Sequence, residues 1–439
     1  MKFRWIICLV CVIAQPLIGK SQQTLSLNDA VAIALQNNFS VRIARNEIAV
    51  NKTNNTLGNA GFLPEVALNF GNTNNINNTR QEFFSGDKRE GNGVKTTNYN
   101  ANISAGWTVF DGMRMFVNRE RLTEIENLGL INLQIQMENT VYQVFSAYYN
   151  ISQHQKRLET IEKAIEISKE RKAFAELRQN VGSGSSLQIL QAEVDINSDS
   201  VAHIRQTLIW KNAKILLNEI LGRSPEMDFD ISPDEDVPFL EVYQDIVNNS
   251  KERNRLIQMA DKNIRLSELN IKQWEANKYP TLDLNLGYNF SRLNAEIGIV
   301  KFNQNLGFSY GLTGRWNIFN GYNNRREIQV AKLMLESNKI NKEQTMLGLN
   351  TDILTFYNTY LTAFQLSEIE KSNINIAQQN LDITTERMRL GATNALELRQ
   401  AQLNLVDAEF RKISAEFEAK MASLELRRLS GQLMANNLN

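Results

Sequence analysis

The chain has 439 residues, and its 48 lysines and arginines balance 48 aspartates and glutamates, so no excess of positive charge indicates a nucleic-acid partner. Its two cysteines, Cys8 and Cys11, and two histidines are too few to supply a disulfide framework or a zinc centre. No serine–histidine–aspartate order, phosphate loop or paired-carboxylate site is recognisable, and we expect no cofactor, no bound metal and no enzymatic activity.

The N-terminal segment has the features of a secretory signal peptide. Lys2 and Arg4 precede an apolar stretch, and Gly19 and Ser21 supply the small residues that a signal peptidase needs. The apolar stretch has about 14 residues, which is too short for a membrane-spanning helix. We predict that residues 1–21 are cleaved, which removes both cysteines.

The rest of the chain is an internal duplication. The motif Trp-x-x-Phe-Asp-Gly that ends at Gly112 returns as Trp-x-x-Phe-Asn-Gly ending at Gly321. A second motif, in which Gly182 is followed by Leu and Gln-Ala, returns at Gly391, and both pairs of glycines are 209 residues apart. Each half is predicted to contain, in order, a helix, a strand, a loop, a strand, a long helix, a turn and a long helix.

The predicted strands alternate apolar and polar residues. In residues 305–319 one face contains Leu306, Phe308, Tyr310, Leu312, Gly314, Trp316 and Ile318. Residues 66–70, 99–109 and 282–290 alternate in the same way. A soluble β-sandwich alternates too, but these strands exceed the usual five or six residues. Their opposite face is small and polar, which favours a water-filled transmembrane β-barrel.

The predicted helices are unusually long. No proline occurs between Gly112 and Gly182 or between Gly321 and Gly391. These stretches predict helices of about 68 residues and roughly 100 Å. A globular domain cannot bury such rods, so they must pack side by side as hairpins with tips at 182–186 and 391–394.

Apolar residues at heptad spacing follow each tip and predict the packed face of each hairpin. The seam of the first half comprises Leu187, Leu190, Val194, Val201, Ile204 and Leu208. The seam of the second half comprises Leu396, Leu403, Phe410, Ile413 and Phe417, with Arg399 interrupting it once.

The strand count predicts an oligomer. Each chain contributes four long strands, whereas a closed membrane barrel needs at least about eight. Two copies would give a barrel whose interior is filled by side chains. Three copies give twelve strands, and we therefore predict a homotrimer with cyclic symmetry.

With these features the mature chain resembles the TolC-like outer-membrane efflux proteins. The resemblance rests on the duplicated halves, the strand-to-helix motifs and the two tips, each followed by Leu-x-x-x-Gln-Ala. It implies a mixed α and β membrane protein, a trimeric 12-stranded β-barrel in outer-membrane lipid that continues into a long periplasmic α-helical barrel. It also implies a periplasmic adaptor and, through it, an inner-membrane pump of the RND, ABC or MFS type. The exported cargo would be small molecules, metal ions or proteins, depending on the pump.

The resemblance divides the chain into nine predicted segments. They are a signal peptide (1–21), a first periplasmic or equatorial helix (22–62), a first membrane β-hairpin (63–110), a first long helical hairpin (111–222), a linker (223–240), a second periplasmic or equatorial helix (241–278), a second membrane β-hairpin (279–319), a second long helical hairpin (320–432) and a C-terminal tail (433–439).

The resemblance also implies site residues. The strand–helix junctions are Trp107, Phe110 and Gly112 in the first half and Trp316, Phe319 and Gly321 in the second. The adaptor-docking tips are Val181, Gly182 and Ser183 together with Leu390, Gly391 and Ala392. The acidic residues that often close the periplasmic end in this family correspond to Glu397 and Gln400, so one carboxylate ring is kept. As an alternative, Glu397 is a solvated carboxylate on a helix face.

The alternative function is a periplasmic adaptor protein, which also contains a long helical hairpin. An adaptor normally has one such hairpin between β-rich domains, whereas this chain has two, each preceded by an alternating β-hairpin. The pattern therefore favours the outer-membrane channel.

Overall fold

The computed structural model describes residues 24–232 and 242–434. The predicted signal peptide lies outside the described residues, as do the end of the predicted linker and most of the predicted tail. The elements, in chain order, are β1 (Thr24–Leu25), α1 (Leu27–Asn37), α2 (Phe39–Asn54), α3 (Leu57–Ala60), β2 (Glu65–Glu82), β3 (Lys88–Phe110), α4 (Arg114–Asn180), α5 (Ser186–Ile220), β4 (Asp230–Ile231), α6 (Tyr243–Arg253), α7 (Arg255–Ala276), β5 (Thr281–Ala295), β6 (Phe302–Arg315), α8 (Asn323–Arg389) and α9 (Ala395–Leu429).

The predicted duplication is confirmed in the helices. Helices α4 and α8 contain 67 residues each, and α5 and α9 contain 35 residues each. The first residues of each pair are 209 positions apart. We call α4 and α5 the first hairpin and α8 and α9 the second hairpin. No helix within residues 24–232 and 242–434 is long and apolar enough to span a membrane.

The chain divides into two compact units. Among the described residues, the helical unit comprises 24–38, 140–232 and 356–425, and the sheet unit comprises 39–139, 242–355 and 426–434.

The sheet unit contains one four-stranded antiparallel sheet in the order β2-β3-β5-β6. A row of polar side chains crosses all four strands. The Asn69 amide donates to Asn102 at 3.0 Å, Asn102 donates to Asn289 at 3.2 Å, and Asn289 donates to the Ser309 hydroxyl at 3.0 Å. The polar face predicted from the alternation is therefore hydrogen-bonded across strands.

Strand β6 ends earlier than its alternation predicts. Pairing stops at Arg315, and Phe319 is 69% exposed. In the first half, β3 continues to Phe110 because this residue lies opposite Leu282 of β5. Within the described part of the chain, β6 lies at the edge of the sheet and its pairing with β5 ends where Arg315 lies opposite Thr281, so the residues after Arg315 have no strand beside them to hold them extended.

The segments predicted as single helices at 22–62 and 241–278 are each divided in the structure. The first contains α1, α2 and α3, and the second contains α6 and α7. Asn254 separates α6 from α7, because its side-chain oxygen accepts from the Leu256 N–H at 2.9 Å and thereby starts a new helix. The predicted linker contains β4, which pairs in parallel with β1.

The helical unit buries a different heptad of α5 from the predicted seam. The buried residues at seven-residue spacing are Ala192, Asp199, Gln206 and Ala213. The equivalent residues of α9, also buried, are Ala401, Ala408, Ala415 and Ala422. Small side chains at this spacing allow helices to approach closely.

The predicted seam of α5 is uncovered in the single chain. Its six side chains are between 47% and 68% exposed. The second seam differs, because Phe410, Ile413 and Phe417 are partly buried while Leu396 and Leu403 are exposed. Both heptads have the correct period for packing, so the position of neighbouring helices decides which one is buried.

Candidate functional sites at the hairpin tips and the strand–helix junctions

The tip of the first hairpin is a tight turn that glycine makes possible. The Gly182 N–H donates to the Gln179 carbonyl at 3.0 Å, and the Ser183 N–H donates to the Arg178 carbonyl at 2.9 Å. Gly182 has a φ of +75°, a left-handed conformation that residues with a Cβ rarely adopt. Val181 beside it is 70% exposed. The turn therefore presents an apolar side chain on a defined backbone.

The tip of the second hairpin repeats this geometry. The Gly391 N–H donates to the Met388 carbonyl at 3.1 Å, and the Ala392 N–H donates to the Arg387 carbonyl at 2.7 Å. Gly391 has a φ of +74°. Leu390 is 81% exposed and occupies the position of Val181. The six predicted docking residues thus form two equivalent turns.

Two arginines that the sequence analysis did not single out hold these turns. Arg178 donates to the Ser183 carbonyl at 3.3 Å, and Arg387 donates to the Ala392 carbonyl at 3.2 Å. A cation in the last turn of a helix also interacts favourably with the helix dipole. In the sequence, these two arginines could have been identified by their separation of 209 residues, which is the same as that of the tip glycines.

The predicted gate residues lie at the start of α9. The Asn394 side chain accepts from the Glu397 N–H at 2.9 Å, and the Thr393 hydroxyl donates to the Glu397 carboxylate. This is a helix N-terminal cap, and a carboxylate there is favoured by the helix dipole. Gln400 donates to Asn404 at 2.9 Å, and both gate residues are exposed. Glu397 therefore has a local structural role within its own chain.

Both strand–helix junctions contain an equivalent hydrogen bond from a tryptophan side chain. The Trp107 indole N–H donates to the Phe62 carbonyl at 2.9 Å, and the Trp316 indole N–H donates to the Lys278 carbonyl at 3.1 Å. Each tryptophan thus fastens the end of a strand to the segment that leads into the preceding strand.

Two consecutive left-handed residues turn each strand into its long helix. Gly112 and Met113 both have a φ of 71°, and Gly321 and Tyr322 have φ values of 66° and 60°. At Gly112 a Cβ would lie 2.4 Å from the Ala276 carbonyl oxygen, so no larger residue fits without a backbone shift. This close approach explains why the repeated motif has a glycine at position 112 in the first half.

A charged cluster near the tips was missed by the sequence analysis. We call Arg171, Asp195, Asp199 and Arg399 the charged quartet. Arg399 donates to Asp199 through both terminal nitrogens, at 2.9 and 2.8 Å, and Arg171 pairs with Asp195. The Ser168 hydroxyl donates to Asp199 at 2.7 Å. The hydrogen bond to Asp199 raises the pKa of Arg399, whereas burial lowers the pKa of Arg171.

The sequence signal for this cluster was the single arginine in an otherwise apolar seam. Arg399 stands where the first half has Leu190. Buried charges in proteins are usually paired, so an arginine at a seam position indicates an acidic partner nearby.

A groove of about 460 Å³ lies beside the tips in the helical unit. Leu187, Leu190, Val194 and Leu396 contribute apolar side chains to its lining, and Arg399 contributes a charged one. This size and composition are typical of a site that accepts part of another molecule. Within residues 24–232 and 242–434, no group of three or more histidine, cysteine, aspartate or glutamate side chains is placed to hold a metal ion.

Comparisons with known proteins agree with one another. The family model described as "Outer membrane efflux protein" matches residues 30–223 and 246–432. Protein CyaE of Bordetella pertussis is 21% identical over 413 residues, covering 93% of this chain and 84% of CyaE. Outer membrane efflux protein BepC of Brucella suis is 21% identical over 425 residues, covering 96% of this chain and 89% of BepC.

A crystal structure of CusC has the same fold, with a TM-score of 0.77 at 16% identity over 92% of both chains. The family model covers well over half of the chain, including both hairpins. The chain therefore belongs to the outer membrane efflux protein family, and it serves in the outer membrane and across the periplasm as an exit duct for efflux or secretion.

Proposed function

We propose that this duct is a homotrimer in which three sheets close into one 12-stranded β-barrel and three pairs of hairpins close into one helical barrel. The observation that carries the proposal is that one chain presents two kinds of unpartnered surface. These are the edges of its sheet and the apolar stripes of its hairpins.

The two edges of the sheet can be paired by strands of neighbouring copies. Strands β2 and β6 are the two edge strands, with 18 and 14 residues. In lipid an unpaired backbone edge is strongly unfavourable. Pairing β6 of one copy with β2 of the next satisfies both edges, and the alternation after Arg315 supplies residues that extend β6 once a partner is present.

The apolar stripes of the helices can pack against the same neighbouring copies. Besides the exposed seam of α5, helix α8 has an exposed stripe that consists of Leu361, Ile369, Ile376 and Ile383. Apolar side chains at this spacing are stabilised by packing against another helix. Exposed stripes of this length are typical of interfaces rather than of free surfaces.

Light scattering and planar-bilayer recording test the trimer. The mature chain, purified in mild detergent, should have three times the monomer mass and should form conducting channels. A monodisperse monomer that conducts would contradict the proposal.

The tips are the proposed docking site of the periplasmic adaptor, which links the duct to an inner-membrane pump of the RND, ABC or MFS type. The exposed side chains of Val181 and Leu390 support this role. The pump then determines whether the cargo is a small molecule, a metal ion or a protein.

Glu397 is the proposed gate residue, as a ring of three carboxylates at the periplasmic end. Three converging carboxylates favour cations over anions. Gln400 lies one turn further along the helix and is uncharged, and its amide donates to Asn404. The Thr393 hydroxyl donates to the carboxylate of Glu397, and the Asn394 side chain accepts from its backbone N–H.

Ion selectivity tests the gate. Glu397→Gln should reduce the preference for cations in bilayer recordings, whereas Glu159→Gln, at an exposed carboxylate of α4, should leave it unchanged. Equal selectivity in wild type and Glu397→Gln would reduce Glu397 to its capping role.

A further inference from the structure

A polar pocket of about 370 Å³ lies in the sheet unit, where the strands meet the helices. We call it the junction pocket. Its lining includes Arg114 at the start of α4, Trp274 of α7, Thr281 at the start of β5 and Arg315 at the end of β6, together with five asparagines. A pocket of this size with converging polar groups is typical of a site for a small ligand.

One of its two arginines, Arg315, is available to a ligand. Its side chain is exposed, and no hydrogen bond or ion pair within residues 24–232 and 242–434 involves its guanidinium. Glu327 also lines the pocket, but its carboxylate pairs with Arg326. The charge of Arg315 is therefore not neutralised by the carboxylate in the same lining.

The second arginine, Arg114, is held by neutral groups. Its guanidinium donates to the Asn277 side chain, and the Asn277 amide donates to Asn324 at 3.4 Å. An amide positions a guanidinium without cancelling its charge, because the amide has no net charge of its own. The two arginines thus give the pocket an excess of positive charge.

The internal repeat indicates that Arg315 is not needed to build the strand–helix junction. Its equivalent in the first half is Gly106, 209 residues earlier. Both junctions nevertheless contain the tryptophan hydrogen bond and the two consecutive left-handed residues. Because the same turn forms with glycine at this position, the structure of the junction does not account for the arginine.

The Arg315 side chain lies on the polar face of the sheet. Arg315 is opposite Thr281 in the pairing of β6 with β5, and residues directly opposite each other in an antiparallel pair share a face. Thr281 shares that face with Asn289, because an even number of positions separates them in one strand. Asn289 belongs to the row of hydrogen-bonded side chains that crosses all four strands. In the proposed homotrimer this face lines the water-filled passage, since the apolar face contacts lipid.

We infer that the junction pocket binds a phosphate or carboxylate group of a molecule that passes through the duct. The three pockets of the proposed homotrimer, on which this inference rests, would surround one passage. A guanidinium presents a planar fork of N–H donors that matches the oxygens of phosphate and carboxylate. Positive charge in a cleft also raises the local concentration of anions.

Calorimetry with small anions tests the pocket directly. The mature protein, in a non-ionic detergent at low ionic strength, is titrated with inorganic pyrophosphate, with citrate and with uncharged sucrose. Pyrophosphate, citrate or both should bind, and sucrose should not, because the guanidiniums select for negative charge. If neither anion binds, or if sucrose binds equally well, the inference is overturned.

Matched arginine variants locate the bound anion. Arg315→Gln should weaken its binding by about tenfold, because charge-assisted hydrogen bonds are lost. Arg325→Gln removes the same charge from an exposed residue of α8 outside this lining and should change the affinity by less than about twofold. Equal losses in these two variants would show diffuse attraction rather than a site. Arg114→Gln should also weaken binding by about tenfold, which keeps the test decisive if Arg315→Gln fails to fold.

Light scattering separates this inference from the proposed homotrimer. A conducting monomer that still binds the anion would contradict the homotrimer and keep the pocket. A trimer that binds neither anion would keep the homotrimer and overturn the pocket.

Planar-bilayer recording tests whether the pocket faces the passage. In a KCl gradient, a saturating concentration of the bound anion should shift the reversal potential towards that expected for K⁺, because negative charge then replaces positive charge along the passage. The shift should be about threefold larger in wild type than in Arg315→Gln at the same anion concentration. Calorimetric binding without any shift of the reversal potential would remove the pocket from the passage and overturn the inference.

Discussion

Helices α5 and α9 have equal length and equivalent positions in the repeat, but their equivalent apolar residues have different surroundings. Phe410 of α9 lies beneath the guanidinium of Arg157, 5.5 Å from it, and Ile413 is partly buried. Their equivalents in α5, Val201 and Ile204, are 47% and 68% exposed. Local structure therefore follows the repeated sequence, whereas burial depends on which neighbour is present.

The sharpest test of this comparison places the same charge at equivalent positions. Ile413→Asp should lower the free energy of unfolding of the single chain by about 3 kcal/mol, because a carboxylate then faces a packed helix. Ile204→Asp should change it by less than about 0.5 kcal/mol, because the side chain is exposed. Ile204→Asp should instead prevent trimer formation.

Chemical unfolding of detergent-solubilised monomers and light scattering together give both measurements. Equal losses of chain stability at the two positions would show that burial in α5 and α9 is the same after all. A stable trimer carrying Ile204→Asp would remove the α5 seam from the proposed interface.

We expect adaptor docking at the two tips to depend on the exposed side chains of Val181 and Leu390. Leu390→Asp and Val181→Asp should each reduce export strongly, because the apolar contact with the adaptor is lost while the glycine turn remains. Drug sensitivity of cells that express each variant, measured with trimer yield, tests this expectation. Ser85→Asp, in the turn between β2 and β3, is the control, and normal export by both tip variants would contradict docking there.

The two junction tryptophans allow a smaller, paired comparison. Trp107→Phe and Trp316→Phe each remove one indole hydrogen bond, to the Phe62 and Lys278 carbonyls, and should each cost about 1 kcal/mol. Thermal or chemical unfolding measures the loss. If either substitution is neutral, the bond at that junction contributes nothing to stability.

The smallest expected effect concerns pH. Burial, and then the charge of Arg157, lower the pKa of His154 from its ordinary value of 6.5. The folded chain therefore holds this imidazole neutral, and its contribution to stability is complete above pH 6.5 and is lost as the pH falls toward the lowered folded pKa.

His154→Gln should remove that part of the pH dependence, which unfolding curves recorded from pH 7 downward would detect. The Gln206 amide lies 3.1 Å from Nδ1 of His154 and donates to its carbonyl at 3.2 Å, so Gln206→Ala serves as a second probe of the same contact. An identical pH profile in wild type and His154→Gln would contradict the assignment.

Much of the fold could be predicted because its signals are local and repeated. The absence of proline between Gly112 and Gly182 indicated one unbroken helix, and α4 spans 67 residues there. The paired motifs placed both tips and both strand–helix junctions. Alternation located the four strands, since successive side chains of a strand point to opposite faces.

The site was only partly predictable. Gly182 and Gly391 were identified from the repeat, whereas Arg178 and Arg387 were missed because a basic residue near a helix end is common. The charged quartet combines residues of three helices, and no spacing within one segment indicates such a cluster.

What the sequence determined by itself is therefore the four long strands and four long helices and their order, because backbone preferences act over a few residues and the long helices recur after 209 positions. What only the tertiary structure decided is which of two heptads α5 buries, where β6 stops, and why Arg399 stands in an apolar seam. Each of these depends on a neighbour. Helix α5 buries the small residues Ala192 and Ala213, β6 has a neighbouring strand on one side only among the described residues, and Asp199 accepts hydrogen bonds from Arg399. Burial and pairing depend on contacts between residues that are distant in sequence. A periodic pattern therefore predicts which faces of an element can pack, and the neighbouring helix or strand determines which face is buried.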